Sequence, residues 1–401
     1  MYLYYALAAI SIWLGLQSLL SGIRFSSYVR RECKRPLPQF TPYVSVIAPF
    51  RGRENGLKQN LAALFAQDYP EYEIIFVTDS DSDPSVATVR ELADSLSQQR
   101  IQTKILFAGH ADDSGQKVHN LRRAVIEIDT RSEALVFVDV DARPPSTWLR
   151  SLVAPLQNDN IGAATGYRWF LADRRNLSSQ LLSVWNASIA SALGGQSDKN
   201  FCWGGSTGIR RTTFENLRIR EQWRGTVSDD FTVMRVMREA KLPIKFVPAC
   251  LTPSIENYNF AQLIEFTTRQ LKITRVYAPQ FWKASLIGGI IFNLVFFGGI
   301  ALLAARIALG YSTAVLLVLL GIVFLLGACK SYIRWRAVRI PLRQYDKQMK
   351  RSLIAHVFLW PLAALLFLYN TLVAGFSRKI VWRGIGYELK SPNEAVIIFR
   401  E

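Results

Sequence analysis

Ala134-Leu-Val-Phe-Val-Asp-Val-Asp141 is an apolar, β-prone run that ends in two acids one residue apart. A strand of this composition is buried on both faces. Acids at its end project into the crevice beyond the carboxyl edge of a parallel sheet, where such folds take their ligands. A second run, Glu73-Ile-Ile-Phe-Val-Thr78, ends in the same way at Asp79. Val44–Ala48 and Lys104–Phe107 read as further strands, and helix-period stretches run from Leu57 to Gln67 and from Lys117 to Ile128. Strands alternating with helices predict an α/β domain over residues 36–279, with a mostly parallel, Rossmann-like sheet.

The acids narrow the chemistry. Asp139 and Asp141 offer hard oxygen ligands of the kind that bind Mg²⁺ or Mn²⁺, an ion that can in turn bridge a diphosphate. Aspartate at a strand end is also ordinary turn chemistry, and Pro84 after Asp81 and Asp83 marks part of the acidic run near Asp79 as a solvated turn. A third acidic element, Val227-Ser-Asp-Asp-Phe231, opens a helix-period run through Met234, Val236 and Met237. Either Ser228 or Asp229 can cap that helix. Two adjacent acids exceed what a cap requires, which leaves one as a candidate general base. Trp203-Gly-Gly-Ser-Thr-Gly208 matches neither GxxxxGK[ST] nor GxGxxG, so it reads as backbone that approaches a substrate closely.

The ends of the chain have a different composition. Of 401 residues, 50% are hydrophobic and 20% charged, which excludes disorder and collagen-like repetition. The apolar residues concentrate at the two ends. Tyr2–Ile23 is an uncharged stretch long enough to span a bilayer, and the anchor is placed at residues 1–23. It has no basic n-region and no A-x-A cleavage site; its basic residues, Arg24 to Arg35, follow it. It therefore reads as a signal anchor that leaves the α/β domain in the cytosol. Further apolar stretches fill 285–375, at Ser285–Ala305, Ser312–Ala328 and Ser352–Gly375, with a basic block from Lys330 to Arg351 before the last. Four full crossings would put the tail, 376–401, outside, although it carries Arg378, Lys379 and Arg383. Pro361 in the middle of the last stretch makes that stretch a candidate re-entrant or interfacial pair, and the side of the tail stays open.

Residues 177–193 place Leu177, Leu181, Val184, Trp185, Ile189 and Leu193 at helical spacing opposite uncharged polar residues. They fit either a helix lying in the membrane interface or a core helix of the α/β domain. The net charge of +17 follows the membrane flanks, as expected for contact with anionic lipid, and no basic-aromatic stripe suggests nucleic acid. Cys33, Cys202, Cys250 and Cys329 lie far apart, without CxxC or zinc-finger spacing to the three histidines. Neither a disulfide framework nor a structural zinc site is expected.

In this order the parts resemble ceramide glucosyltransferases and their bacterial relatives, family 21 of the family 2-type GT-A glycosyltransferases. The residues that carry the resemblance are Asn60-Leu61, Asp68–Glu73, Lys117-Val-His-Asn-Leu121, Ser206-Thr-Gly208, Asp229-Asp-Phe231 and Trp382-Arg-Gly-Ile-Gly-Tyr387. The resemblance implies a GT-A domain that binds a UDP-sugar with Asp79, with Asp139 and Asp141 holding Mg²⁺ or Mn²⁺ and the diphosphate. Asp230 would be the catalytic base, with Asp229 next to it. The family's (Q/R)xxRW motif falls on Arg269-Gln270-Leu271-Lys272-Ile273, which implies donor contacts for Arg269, Gln270 and Lys272. Here Lys272 replaces arginine and Ile273 replaces tryptophan, so the planar fork and the stacking ring are both missing. Arg275, three residues on, is the candidate to compensate; a juxtamembrane basic patch is the other reading of this stretch.

The expectation is an inverting transfer of a hexose, glucose by resemblance, from a UDP-sugar to the hydroxyl of a membrane lipid such as ceramide. The site would lie on the cytosolic face of a bacterial inner membrane or a Golgi-type membrane. A processive polysaccharide synthase should have an intact QxxRW and more spans. An inactive scaffold or lipid-binding protein of the same fold has only the altered motif in its favour, against three retained acidic elements. A transporter would need polar groups within its spans, where Arg306 near a segment end is the main candidate.

Overall fold

The computed structural model describes residues 1–52, 56–96, 101–172 and 176–400. In chain order the helices are α1 (Tyr2–Glu32), α2 (Leu57–Phe65), α3 (Val86–Leu96), α4 (Gln116–Ala124), α5 (Trp148–Val153), α6 (Leu177–Ala190) and α7 (Arg211–Asn216). They continue with α8 (Ile219–Gln222), α9 (Asp229–Glu239), α10 (Phe260–Tyr277), α11 (Pro279–Ala308), α12 (Ala314–Val338), α13 (Asp346–Phe358) and α14 (Trp360–Phe376). The strands are β1 (Val44–Pro49), β2 (Tyr72–Thr78), β3 (Gln102–Phe107), β4 (Ala134–Phe137), β5 (Ala163–Ala172), β6 (Thr207–Arg210) and β7 (Ile244–Glu256), followed by β8 (Lys379–Trp382), β9 (Ile385–Ser391) and β10 (Glu394–Arg400). These elements form two compact units: Met1–Arg30 with Phe170–Ala192 and Ile255–Ser377, and Arg31–Trp169 with Leu193–Ser254 and Arg378–Glu401.

The second unit is built on a seven-stranded sheet in the order β3-β2-β1-β4-β6-β5-β7. β1 pairs in parallel with β2 on one side and β4 on the other, and β2 pairs in parallel with β3. β6 runs antiparallel to both β4 and β5. The order of strands therefore reverses at β1, and the crevice of this fold opens beyond the carboxyl ends of β1, β2 and β4. Every residue of β1, β2 and β4 is buried, as apolar strands covered on both faces must be. The edge strand β3 is exposed or half-buried along its length. The core joins Val46, Ile74, Phe76 and Val136 to Leu61 and Leu64 of α2 and to Trp148, Leu149 and Leu152 of α5.

Sequence and structure agree closely on these elements. The strands read at 44–48, 73–78, 104–107 and 134–138 occupy 44–49, 72–78, 102–107 and 134–137.

A second, antiparallel sheet of order β10-β9-β8 belongs to this same unit, although it follows the last apolar helix in the chain. β8 and β9 turn through Arg383 and Gly384, at φ 54° and 73°. Both residues are left-handed, as a two-residue hairpin turn of matched twist requires.

The first unit holds α1, α6 and α10–α14. Among the described residues three helices, α1, α11 and α12, are long and apolar enough to cross a membrane. Residues 343–358 and 360–376 form a pair bent by 73°, broken at Leu359 with Pro361 in the first turn of α14. The proline lacks the N–H that would continue the preceding helix. α6 lies among α10, α13 and α14, and its polar positions Ser179, Ser183 and Asn186 are buried along with Leu181, Leu182, Val184 and Trp185. Ser183 Oγ donates to Phe170 O at 2.6 Å.

The chain leaves the α/β unit after Ser254 and returns to it at Arg378. Segments between those points must cross a membrane an even number of times. If α11 and α12 are two crossings, a tail that belongs to the α/β unit requires the bent pair to enter and leave on one side. In a Cys33→Ser, Cys329→Ser background, Ser95→Cys and Lys390→Cys are expected to react with an impermeant maleimide from the same side of sealed vesicles. Labelling from opposite sides would refute this topology.

Candidate active site

The acids singled out by the sequence at 79, 139, 141, 229 and 230 all lie in the α/β unit. Asp139 and Asp141 sit in the turn after β4, with Ala142 N bonded back to Asp139 O at 3.0 Å. Asn60 of α2 fixes this turn by donating to Val140 O at 3.1 Å, while Arg143 Nε donates to Asn60 Oδ1 at 3.0 Å. One nitrogen of Arg168, on β5, lies 3.3 Å from Asp139 Oδ2 and 3.2 Å from Asp141 Oδ2. The two carboxylates thus converge on a single cationic position, and their oxygens suit a hard divalent ion. The Arg168 guanidinium also lies 4.9 Å from the ring centre of Trp203.

Lys117, in the first turn of α4, joins this group to the third acidic element. Its Nζ is 2.8 Å from Asp139 Oδ1 and 3.2 Å from Asp229 Oδ1. Burial works against the ammonium charge, but Asp139 and Asp229 outweigh it and hold the proton more tightly than an ordinary lysine does. Burial is opposed at Asp139 by Lys117 and Arg168, which keep that carboxyl below its usual range. Burial prevails at Asp141, whose carboxyl is raised. At Asp229 burial, reinforced by Asp230 and Asp139, pushes the carboxyl up to about 6.

Of the two possible caps of α9, Ser228 is the one used: its Oγ accepts from Phe231 N at 3.4 Å. Asp229 is buried, and its backbone carbonyl accepts from Trp223 Nε1 at 3.1 Å. Asp230 is half-buried, and its Oδ1 accepts from Ser228 Oγ at 2.5 Å and from Phe231 N at 2.8 Å. The glycine-rich loop closes against the acids: a methyl on Gly204 would collide with Asp229 and lie 2.8 Å from Lys117 Nζ, and one on Gly205 would lie 2.7 Å from Asp139 Oδ2. The close approach read from the sequence is therefore to the charged cluster itself.

Asp79, after β2, has a different partner. Arg51, which follows β1, holds its Oδ2 at 2.9 Å, and His110 Nδ1 lies 3.7 Å away. Lys117, Arg168 and Arg51 were not assigned roles from the sequence. Lys117 lies within a stretch quoted for the resemblance, whereas a lone arginine on an apolar strand gives no local signal.

The basic motif residues Arg269, Gln270 and Lys272 lie on α10 in the other unit. Arg269 pairs with Glu265 at 3.3 Å, and burial lowers the Lys272 ammonium. Ile273, at the tryptophan position, is buried in the helix packing. Arg275 Nη1 donates to Ala374 O at 2.6 Å, and its guanidinium lies 5.5 Å from the Trp282 ring, so this candidate replacement is engaged with the end of α14.

The family model for glycosyl transferase family 21 matches residues 3–395. The chain belongs to that family. It is 32% identical over 123 residues to ceramide glucosyltransferase 1 of Caenorhabditis elegans, which covers 30% of this chain and 26% of the relative. Ceramide glucosyltransferase 3 of the same organism is 28% identical over 104 residues, covering 25% of this chain and 22% of the relative. The match to these curated relatives thus spans about a quarter of their length. A mannosyltransferase from Pyrobaculum calidifontis, solved with GDP-Man and Mn²⁺, superposes with a TM-score of 0.50 at 18% identity, covering 88% of this chain and 98% of that one. The family 21 enzyme therefore has the glycosyltransferase fold expected from its sequence.

The raised Asp229 gives a pH dependence with a definite sign. An unfolded aspartate titrates near 3.9, so between about 4 and 6 the folded state binds more protons than the unfolded chain. The contribution of this group to stability therefore falls as pH rises through that window. In EDTA-containing buffer, the melting temperature of the unsubstituted protein relative to Asp229→Asn should decline from pH 4 to pH 6. A difference that stays flat or rises would contradict the assignment.

Proposed function

We propose that this family 21 enzyme moves a hexose, glucose by default, from a UDP-sugar to the hydroxyl of a membrane lipid, ceramide or a related sphingolipid, with inversion. The observation that carries the reading is the convergence of Asp139, Asp141 and Asp229 on Lys117 and Arg168 at the carboxyl ends of parallel strands, with the half-buried Asp230 beside them. A cluster of opposed charges at a ligand crevice suits a reaction in which a diphosphate departs. The named activity of the relatives and the apolar helices favour a lipid acceptor over a soluble one.

In this reading Asp230 accepts the proton of the attacking hydroxyl, because it is the more exposed member of its pair. Asp229 instead holds Lys117 toward the site. Lys117 and Arg168 turn from the carboxylates toward the negative charge that develops on the leaving group, while Asp79 and Arg51 bind the nucleoside portion. Asp139 and Asp141 would hold Mg²⁺ or Mn²⁺, which would supply Lewis-acid neutralisation of the diphosphate. The acceptor hydroxyl arrives at the membrane surface with its tails in lipid, and the α/β unit faces the cytosol, since the basic flanks favour that side.

The test is UDP release from UDP-glucose by detergent-solubilised protein with ceramide, with and without Mg²⁺ or Mn²⁺. Release should require both ceramide and a metal, and Asp230→Asn should lower kcat by roughly 10²–10⁴-fold, the usual effect of losing a general base. Full activity in Asp230→Asn would remove Asp230 as the base, and absence of both release and UDP-sugar binding would remove the transferase reading.

A further inference from the structure

We propose that the C-terminal sheet, β8–β10, is a working part of the donor site, with Tyr387 and Arg400 as positioning residues for Lys117. The proposal rests on the donor reading of the preceding section and extends it to residues that no acidic or basic motif marks.

Helix α4 starts at Gly115, which has no side chain with which to cap it. The missing acceptor comes from the tail: Gln116 N donates to Tyr387 Oη at 3.1 Å, across 271 residues of sequence. Tyr387 is held for this task. It is buried in the central strand of its sheet, opposite Ile380 on β8 and Ile397 on β10.

The Gln116 side chain is also engaged from the tail. Its Oε1 accepts from Ala111 N and from Arg400 Nη1, both at 3.0 Å. Its Nε2 donates to Gly109 O and to Asn120 Oδ1, both at 2.9 Å. Arg400 donates in addition to Ala111 O. The loop from β3 to α4, whose last residues lead directly into Lys117, is thus tied to the tail by two side chains.

The same sheet reaches the two other flanks of the charged cluster. Arg51 binds Asp79 through Nε and donates through Nη1 to the carbonyl of Arg383, which the left-handed hairpin turn turns outward. At the other end of the sheet, the Asn393 carbonyl packs against Gly225, where φ is 75° and no Cβ would fit. Arg235 of α9 donates to Asn393 Oδ1 at 3.2 Å. Gly225 lies three residues before Ser228, so this contact fixes the approach to Asp229 and Asp230. Asp79 is therefore one hydrogen bond and Lys117 one residue from a tail contact, while Gly225 and Arg235 bring the tail within four to six residues of the acidic pair on either side. A sheet that only stabilised the fold would have no reason to meet these three points.

The experiment uses the full chain in detergent, with UDP-glucose as the varied donor at saturating ceramide, and separately ceramide as the varied acceptor. Tyr387→Phe removes the cap oxygen while keeping the ring, and Arg400→Gln removes the charged pair of bonds. Each should raise the donor KM, and the Kd for UDP measured by tryptophan fluorescence, about fivefold to tenfold, the range for losing one charged or buried hydrogen bond. The ceramide KM should not move, kcat should fall by no more than the donor KM rises, since Lys117 also faces the charge that develops on the leaving group, and the melting temperature should stay close to that of the unsubstituted protein. Unchanged donor KM and UDP Kd in both variants, or a loss of folded protein with unaltered constants in the remainder, would overturn the proposal. An unsubstituted protein that neither binds UDP nor releases it from UDP-glucose would instead overturn the donor reading beneath it.

Discussion

The ammonium of Lys117 between Asp139 and Asp229 is the contact on which the α/β unit's site depends. It joins a turn after β4 to the start of α9, two elements that share no strand pairing. Two buried carboxylates this close to a third acid, Asp230, would be strongly unfavourable without a cation between them. The surroundings are arranged to admit that cation. Gly204 and Gly205 leave space that any side chain would fill, and Arg168 neutralises the outer side of the same acids. On the reading proposed above, Lys117 and Arg168 would exchange these carboxylate partners for the anion of the donor.

This arrangement explains which features the sequence revealed. β1, β2 and β4 are buried on both faces, so their composition is nearly forced, and the acids that end them stand out against it. The acidic pair could be seen because it exceeds the needs of a helix cap, and Ser228 does in fact supply that cap. Lys117 and Arg168 were hidden for the opposite reason. A lysine in the first turn of a helix, or an arginine on a strand, is ordinary until the fold places it against an acid. β5, β6 and β7 and the tail sheet were equally hidden: β6 and β8 have only four residues each, and the apolar runs of β5 and β7 are interrupted by Thr165, Gly166 and Arg168 and by Lys245, Pro248 and Pro253.

The membrane unit shows the same division. Its long apolar helices were legible by length, and Pro361 marked the break in the last one. The role of 177–193 was not, because periodicity reports an apolar face without reporting what covers the polar one. In the structure Ser179, Ser183 and Asn186 are enclosed by neighbouring helices, so α6 is a packed helix of the membrane unit with its polar side satisfied internally. Likewise Arg275 looked available for phosphate until its guanidinium was found on the carbonyl of Ala374.

The position of Tyr387 has a consequence for biosynthesis. The phenol that caps α4 is synthesised only after α11, α12 and the bent pair. During synthesis a nascent chain exposes its acids and Lys117 long before the phenol that orders them exists. A chain stalled or cleaved before residue 378 lacks the acceptor for Gln116 N and both Arg400 bonds, so the loop that leads into Lys117 takes its final order only after the apolar helices have been made.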